Sequence, residues 1–243
     1  MTGLGIITQA RMTSTRLPGK VLLTANGATM LSHHLRRLGE TQLPIVVATT
    51  SNTADDAIVE ASEAFGASVF RGSEHDVLSR FAGAAAQFGF EGVVRVTSDC
   101  PLIDPVLINE GVAAFVEEGS ESVYVSNTAE RSYPRGFDYE IFSARALFDA
   151  AENASEAFER EHVTPYLYRN GSSGLRVRSI RRPVDASDLR LTLDEEADYT
   201  LLRRLIEEHG ADRMSSDDIV ALLRAHPELA GINAHVEQKK LGQ

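Results

Sequence analysis

The stretch "GLGIITQARMTSTRLPGK", residues 3–20, joins two kinds of sequence that together decide the fold. Its first half is a short apolar run, which is typical of a buried β-strand. Its second half is a polar loop with three cations, Arg11, Arg16 and Lys20, and no acid. The chain as a whole has a formal net charge of −11, so this local excess of positive charge indicates a specific anionic ligand or a basic surface loop.

Apolar runs like the first one recur along the chain and alternate with segments of helical periodicity. The predicted strands cover 4–10, 43–50 and 67–72, and a fourth strand in 92–102 runs into a turn. The predicted helices cover 30–40, 53–66, 74–89 and 104–119. Strands that alternate with helices in this way predict an α/β fold, with a mixed, mostly parallel sheet and helices on both faces.

The second half of the chain is less regular. It contains predicted strands at 122–128, 136–147, 174–183 and 188–193, and predicted helices at 155–171, 196–210 and 215–229. No internal repeat or low-complexity linker separates the halves. We therefore expect one domain over residues 1–243, in which a first part of roughly 1–118 binds the ligand, a second part of roughly 119–232 completes the sheet, and a loose tail follows.

Composition excludes several classes of protein. Hydrophobic residues at 43% and charged residues at 24% are ordinary for a soluble globular chain. The excess of 35 acids over 24 bases argues against general nucleic-acid binding, although it leaves room for a local anion pocket. With one cysteine, Cys100, no disulfide forms within the chain. No signal peptide or membrane-spanning run is evident, so we expect a cytoplasmic protein without a membrane partner.

Polar clusters follow several of the predicted strands, where ligands bind in open α/β sheets. The loop 10–20 offers backbone N–H groups, the hydroxyls of Thr13, Ser14 and Thr15, and three cations, which is the set that a triphosphate requires. The loop is neither a Walker loop nor a dinucleotide fingerprint. The alternative is a basic surface loop with a Pro–Gly turn.

Two aspartates that follow apolar runs are candidate metal ligands. Asp99 ends the run "GVVRVTSD" and Asp194 ends "LRLTLD", so both carboxylates are placed to hold an Mg²⁺ ion that bridges phosphates. Each could instead cap a helix or a turn. Asp138 and Glu140 share one face of a predicted strand and contact either a ligand or solvent.

The segment "QARMTSTRLPGK" resembles the signature loop of cytidylyltransferases that activate acidic sugars, the CMP-KDO and CMP-acylneuraminate synthetases. It is more similar still to their relatives named after spore coat polysaccharide biosynthesis protein F. The resemblance runs from residue 5 to about residue 207 and includes "IVVATT", "VFRGSEHDVLSRF", "RVTSDCPLIDP", "YVSNT", "EREHVTPYLY" and "LRLTLDEEAD".

This resemblance implies a nucleotide-diphospho-sugar transferase fold and a Mg²⁺-dependent reaction of CTP. A hydroxyl of a sugar or sugar acid would attack the α-phosphate, release pyrophosphate and leave a CMP-sugar for a surface polysaccharide. The family also implies a homodimer. The rival hypotheses are a metal-dependent glycosyltransferase on a related fold and a nucleotide-binding protein without activity.

The resemblance assigns roles to individual residues. The triphosphate would be bound by Arg11, Ser14, Thr15, Arg16 and Lys20, with Arg11 and Lys20 as the catalytic cations. Gln9 and Ala10 would lie against the base and ribose, and Asp99 and Asp194 would hold the metal. Arg71 and Ser73 are further candidates for the nucleotide.

Asp138, Glu140 and His162 are the candidates for the acceptor, although a lone histidine on a helix is more often structural. The chain has "SDCP" and "LDEE" where the CMP-KDO enzymes carry a "GDEP"-like turn and an aspartate-threonine-proline turn. The predicted metal ligands Asp99 and Asp194 are present in both turns, whereas the segments that would face the sugar differ from those of the CMP-KDO enzymes.

Overall fold

The computed structural model describes residues 3–169 and 174–237. Within these ranges, seven strands form one sheet in the order β5-β4-β1-β6-β8-β7-β9, and two short strands form a separate hairpin, β2-β3. The strands are β1 (Leu4–Gln9), β2 (Thr24–Ala25), β3 (Ala28–Thr29), β4 (Ile45–Thr50), β5 (Ser68–Gly72), β6 (Gly92–Thr97), β7 (Val123–Ser126), β8 (Glu140–Ser143) and β9 (Arg176–Ser179).

The sheet is mixed and mostly parallel. Strand β1 pairs in parallel with β4 and β6, β4 pairs in parallel with β5, and β7 with β9, whereas β8 runs antiparallel to both its neighbours. The chain leaves β1 towards β4 and β5 and then returns to the other side of β1 as β6. The direction of winding therefore changes between β1 and β6, which is where such sheets bind their ligands.

Helices cover both faces of the sheet. They are α1 (Met30–Gly39), α2 (Asp56–Phe65), α3 (Val77–Phe88), α4 (Pro105–Glu117), α5 (Ala144–Asn153), α6 (Ala157–His162), α7 (Pro165–Tyr168), α8 (Glu196–His209), α9 (Ser216–Ala225) and α10 (Pro227–Ala230). Successive residues of β1 point to opposite faces: Ile6 packs in the core with α4 and α8, and Ile7 in the core with α3 and α5. The predicted fold class is confirmed.

Four predicted elements in the second half differ from the structure. The predicted helix 215–229 is divided into α9 and α10 at His226, the residue before Pro227. The predicted strand 136–147 is a strand only over β8, because Ser143 accepts a hydrogen bond from the Ala146 backbone N–H at 3.1 Å and starts helix α5. The predicted helix 155–171 is divided into α6 and α7 at Val163, whose φ of 72° is outside the helical region. Residues 170 and 171 lie outside the described residues.

The predicted strand 188–193 is reduced to a single bridge between Arg190 and Arg135. Its backbone pairs with irregular segments, since Leu193 donates to the Asp99 carbonyl at 2.8 Å, so no regular ladder forms. The predicted loose tail is wrong at its first residue: Asn233 is buried, and its side chain donates to the Asp198 carboxylate at 2.8 Å. Residues 238–243 of that tail lie outside the described residues. No helix in the described ranges has the length and apolar character that crossing a membrane requires.

Candidate active site

The basic loop after β1 is held at both ends by backbone hydrogen bonds. Ala10 donates to the Ala48 carbonyl at 3.3 Å, which continues the pairing of β1 with β4. Gly19 donates to the Met12 carbonyl at 3.0 Å and closes the loop. Gly19 has a φ of 68°, a conformation that glycine adopts without strain. The next residue, Lys20, begins a 3₁₀ turn and points back towards the carboxyl end of β6.

A buried carboxylate that no sequence motif marks fixes the middle of this loop. Asp55, at the start of α2, accepts a hydrogen bond from the Met12 backbone N–H at 2.7 Å. Its other oxygen accepts from the backbone and hydroxyl of Thr50 and from the Thr49 hydroxyl. One carboxylate therefore ties the loop after β1 to the end of β4.

Lys20 lies between the two predicted metal ligands. Its ammonium group is 3.2 Å from an Asp99 oxygen and 2.8 Å from an Asp194 oxygen. The Lys20 side chain is 12% exposed and that of Asp194 is 9% exposed. Burial opposes the charged amine, but the charges of Asp99 and Asp194 outweigh it and raise the pKa of Lys20 above its ordinary value.

Asp99 is oriented by its own strand. The Thr97 hydroxyl donates to one carboxylate oxygen of Asp99, and Lys20 contacts the other. Burial works against ionisation, yet the positive charge of Lys20 and the bond from Thr97 lower the pKa of Asp99. The backbone carbonyl of Asp99 accepts from Leu193, which brings Asp99 and Asp194 to the same place.

Asp194 is surrounded by cations. Its second oxygen lies 3.1 Å from Arg16 and 3.0 Å from Arg190. Arg190 also donates to Asp198 at 2.8 Å, and Asp198 accepts the backbone N–H groups of Asp194 and Glu195, each at 3.0 Å. Arg190 and Asp198 were not predicted from the sequence, because a buried pair eight residues apart has no recognisable motif.

The two carboxylates fit a divalent cation in this structure. The Lys20 ammonium stands in for a cation, because it contacts both side chains at hydrogen-bond distance. Mg²⁺ in phosphate-transferring sites typically takes one or two carboxylates and completes its shell with phosphate oxygens and water. In the described ranges no group of three or more histidine, cysteine or acidic side chains could hold a metal, so a donor pair of this kind is what the site offers.

Several predicted phosphate ligands are available for a nucleotide. The hydroxyls of Ser14 and Thr15 make no hydrogen bond with residues of the described ranges. Arg11 is 40% exposed and lies 3.8 Å from Glu74, which also accepts from the Thr13 hydroxyl. Glu74 is thus a second anchor of the loop that the sequence did not reveal.

The two residues predicted beside the base differ in what they present. The Gln9 side-chain oxygen is buried and has no hydrogen-bond partner among the described residues. An unpartnered buried oxygen at the end of β1 is a suitable acceptor for a donor group of a ligand. The Ala10 methyl is buried in a small core with Val21 and Val47, so a ligand would meet Ala10 through its backbone.

Arg71 and Ser73 lie in the framework beside the loop. Arg71 donates to the carbonyls of Thr50 and Asn52 and pairs with Asp56 at 2.6 Å. The Ser73 hydroxyl accepts from the backbone N–H of Asp76 at 3.1 Å. A nucleotide contact from Arg71 would replace these bonds.

The predicted acceptor residues lie in two different environments. Asp138 forms a two-bond pair with Arg131 at 2.7 and 2.8 Å. Glu140 is 7% exposed, pairs with Arg95, and accepts from the hydroxyls of Tyr124 and Thr164. A solvent-facing Glu140 is therefore wrong, because three partners hold its carboxylate inside the protein.

His162 ends α6 close to this cluster. It is half-buried, and burial lowers its pKa despite the nearby Glu161 and Glu140. The following residues form a tight turn in which Thr164 donates its backbone N–H to the His162 carbonyl at 2.8 Å. That turn places the Thr164 hydroxyl on Glu140 at 2.7 Å.

A buried histidine connects α1 to the base of the site. His34 contacts the Thr8 hydroxyl at 2.9 Å and the Cys100 carbonyl at 2.8 Å. A carbonyl only accepts, so Nδ1 carries the proton and Nε2 accepts from Thr8, whose oxygen in turn accepts from Ser98. Burial lowers the pKa of His34 to about 4. Burial also raises the pKa of the Cys100 thiol, which makes it unsuited to be a nucleophile.

Comparison with known proteins identifies what this arrangement is similar to. A family model described as cytidylyltransferase matches residues 5–215. An uncharacterized protein of Methanocaldococcus jannaschii is 36% identical over 240 residues, which cover 97% of this chain and 96% of that protein. The spore coat polysaccharide biosynthesis protein SpsF of Bacillus subtilis is 33% identical over 240 residues, which cover 95% of this chain and 98% of that protein.

A solved structure agrees over the same length. A cytidylyltransferase from Leptospira borgpetersenii serovar Hardjo-bovis superimposes with a TM-score of 0.89 at 31% identity, covering 99% of this chain and all of that one. That solved structure therefore shares the fold of this chain over nearly its whole length.

Proposed function

This chain belongs to the cytidylyltransferase family, and we propose that it transfers CMP from CTP to a hydroxyl group of a sugar or sugar acid. It is a nucleotidyltransferase by family membership. In the proposed reaction the acceptor oxygen forms a bond to the α-phosphorus, the bond to the β-phosphate oxygen breaks, and pyrophosphate and a proton are released. The name of the Bacillus subtilis relative supports a role in making a surface polysaccharide.

One observation carries this proposal: the cations of the loop and the carboxylates Asp99 and Asp194 meet where the sheet changes its direction of winding. A triphosphate brings about four negative charges to that point, and fixed cations stabilise the charge that develops during transfer. We assign Lys20 and Arg11 to the charge on the α-phosphate and the leaving pyrophosphate. Ser14, Thr15 and Arg16 would hold the remaining phosphate oxygens.

We assign Mg²⁺ to the carboxylates of Asp99 and Asp194. A bound Mg²⁺ supplies charge neutralisation and a template for the phosphates. The role of the chain is to orient these two carboxylates, through the Thr97 hydroxyl for Asp99 and through Arg190 for Asp194.

The remaining predicted contacts divide between base and acceptor. The unpartnered oxygen of Gln9 supports a contact with the base or ribose. We keep Asp138 and His162 as acceptor contacts, and we assign Glu140 to supporting them, because its own oxygens are occupied inside the protein. Arg71 and Ser73 would act on the nucleotide mainly by holding the loops around it.

The test is a pyrophosphate-release assay with Mg²⁺, each of the four nucleoside triphosphates, and a panel of neutral sugars and sugar acids. We expect release only with CTP and a matching acceptor, and a product whose mass is that of a CMP-sugar. Lys20→Ala, checked for folding by circular dichroism, is the control against contaminating activity. Transfer from a nucleotide-sugar without pyrophosphate release would instead show a glycosyltransferase.

Two further properties remain proposals. The family resemblance implies a homodimer, which light scattering coupled to size-exclusion chromatography would test. The single domain over residues 1–243 predicts one cooperative unfolding transition, which calorimetry would test.

A further inference from the structure

Lys20 occupies the position between the two proposed metal ligands. Its ammonium group lies 3.2 Å from Asp99 and 2.8 Å from Asp194, so it fills the gap that a divalent cation would share. These contacts are largely shielded from water, since Lys20 is 12% and Asp194 9% exposed. An ammonium and a divalent ion that shared these two oxygens would lie within a few ångströms of each other, so the two cations compete for the site.

The charges around these carboxylates are already balanced. Asp99 and Asp194 carry two negative charges, and Lys20 and Arg16, which lies 3.1 Å from Asp194, supply two positive ones. Arg190 also contacts Asp194, and its charge is balanced by Asp198. A bare divalent cation would enter a neutral site next to an ammonium, and like charges a few ångströms apart repel strongly in a poorly solvated place.

A nucleoside triphosphate changes this balance. It brings about four negative charges and offers phosphate oxygens to both loop cations. Lysine has a flexible four-carbon side chain, so Lys20 can leave the carboxylates without movement of the loop backbone. That backbone is held by Asp55 and by the Gly19–Met12 bond.

We propose that Lys20 serves as an internal counter-cation which closes the metal site, so that a divalent metal binds between Asp99 and Asp194 only when a nucleoside triphosphate draws Lys20 away. The proposal rests on the proposed function for the identity of the two ligands. Coupling of this kind is reciprocal: the metal and the triphosphate each increase the affinity of the other.

The decisive experiment measures Mn²⁺ binding to the nucleotide-free protein by electron paramagnetic resonance. Lys20→Met keeps the length of the side chain and removes its charge, so it should bind Mn²⁺ more tightly than the wild type by about tenfold or more. Arg11→Met is the matched control, because Arg11 is a cation of the same loop that contacts Glu74 rather than Asp99 or Asp194. It should bind Mn²⁺ as weakly as the wild type.

Two results would overturn the proposal. Equal Mn²⁺ affinity in the wild type and Lys20→Met would show that the lysine does not compete with the metal. An equal gain in Arg11→Met would show that general loss of positive charge explains the effect.

A further measurement keeps Lys20 in place, so its result does not depend on whether the Lys20→Met protein folds. Asp99→Asn should leave the Mn²⁺ affinity of the nucleotide-free protein unchanged, since the site is closed, and a clear loss would contradict the proposal. None of these measurements involves turnover. Failure here and failure of CTP-dependent pyrophosphate release are therefore separate outcomes.

Discussion

Asp99 is the residue whose charge matters most directly for the proposed metal. Asp99→Asn keeps the shape of the side chain but replaces an anionic oxygen with a neutral amide. We expect the Mg²⁺ concentration for half-maximal pyrophosphate release to rise by about tenfold or more, because a hard cation prefers carboxylate oxygen. Glu195→Gln is a suitable control, since Glu195 lies next to Asp194 but its carboxylate caps helix α8 and pairs with Arg16, at 3.5 Å, rather than with Lys20. An unchanged Mg²⁺ dependence in Asp99→Asn would exclude direct coordination.

Asp55 acts on the loop from behind rather than on the ligand. In Asp55→Asn one carboxylate oxygen becomes an amide NH₂ group, which donates hydrogen bonds and does not accept them. If this group faces Thr49 and Thr50, it meets their donors, and if it faces Met12 instead, the bond from the Met12 backbone N–H is lost. An unsatisfied buried group of this kind lowers the free energy of unfolding by about 1–3 kcal/mol. Because the loop loses its anchor, we also expect the KM for CTP to rise by about tenfold.

The neighbouring acid provides the comparison for that variant. Asp56 is 55% exposed, and Arg71 is the only partner of its carboxylate among the described residues, so Asp56→Asn should change the unfolding free energy and the KM for CTP little. Urea unfolding of both variants measures the unfolding free energy, and steady-state kinetics measures the KM for CTP. A normal KM in a destabilised Asp55→Asn protein would mean that Asp55 supports the fold alone.

At the level of elements, Gly136 sets how closely the β7–β8 connection approaches the segment before Asp194. Its φ is 105°, and a Cβ there would lie 2.5 Å from the carbonyl carbon and oxygen of Leu191. Gly136→Ala therefore adds a backbone clash to an unfavourable conformation, and we expect it to lower the unfolding free energy by about 3 kcal/mol or more.

A substitution at Gly66 distinguishes the cost of the backbone conformation from the cost of the clash. It has a φ of 94°, but a Cβ there would meet no atom within 4 Å. Gly66→Ala should thus cost only about 1 kcal/mol, from the conformation alone. Urea unfolding of the two variants gives the difference, and equal losses would show that the close approach to Leu191 is not a constraint.

Strands and helices were predicted correctly where the pattern of apolar and polar residues within the element itself was clear. The strands β1, β4 and β6 are largely apolar runs, so the centre of the parallel half of the sheet followed from the sequence. The edge strand β5, "SVFRG", is partly exposed and carries a weaker signal. Helix α5 was missed because its cap, Ser143, is also the last residue of β8, so no turn residue separates the strand from the helix. The run 188–193 alternates like a strand, but its partners around Asp99 and Arg135 are irregular, which no local pattern reveals.

The candidate site was predictable in outline for a different reason. The carboxyl ends of parallel strands meet at one edge, so the loop after β1 and Asp99 after β6 were expected to lie close together. The anchors Asp55 and Glu74 were not, because they reach the loop from 43 and 61 residues further along the chain. Such contacts depend on how the helices pack and leave no mark in the spacing of residues.

On the scale of the whole molecule, buried polar side chains join the halves of the chain. Asp104 caps two helices at once, since its oxygens accept from Val106 in α4 at 2.9 Å and from Ser216 in α9 at 2.7 Å. Arg37 in α1 donates to the carbonyls of Ile103, Asp212 and Met214. The last helices are thereby fixed to the same turn that carries Asp99, so the position of the site depends on the complete fold.

His34 belongs to this set and makes the stability of the whole molecule depend on pH. Burial lowers its pKa from 6.5 to about 4 in the folded protein, so below pH 6.5 the unfolded chain takes up a proton that the folded protein does not. The stabilising effect of neutral His34 is complete above pH 6.5 and is lost as the pH falls towards 4.

We therefore expect this group to remove about 2 kcal/mol of unfolding free energy between pH 7 and pH 5. The glutamine in His34→Gln does not titrate. This variant should be less stable than the wild type at pH 7 but should lose correspondingly less unfolding free energy on acidification. The carboxylates contribute equally to both proteins. His226→Gln, which removes an exposed histidine paired with Glu228, is the control for a histidine substitution elsewhere in the chain. Urea unfolding at both pH values gives the slopes. If His34→Gln and the wild type lost the same free energy, the proton uptake would have to belong to other groups, and the buried hydrogen-bond chain from Ser98 to Cys100 would not be what limits stability in acid.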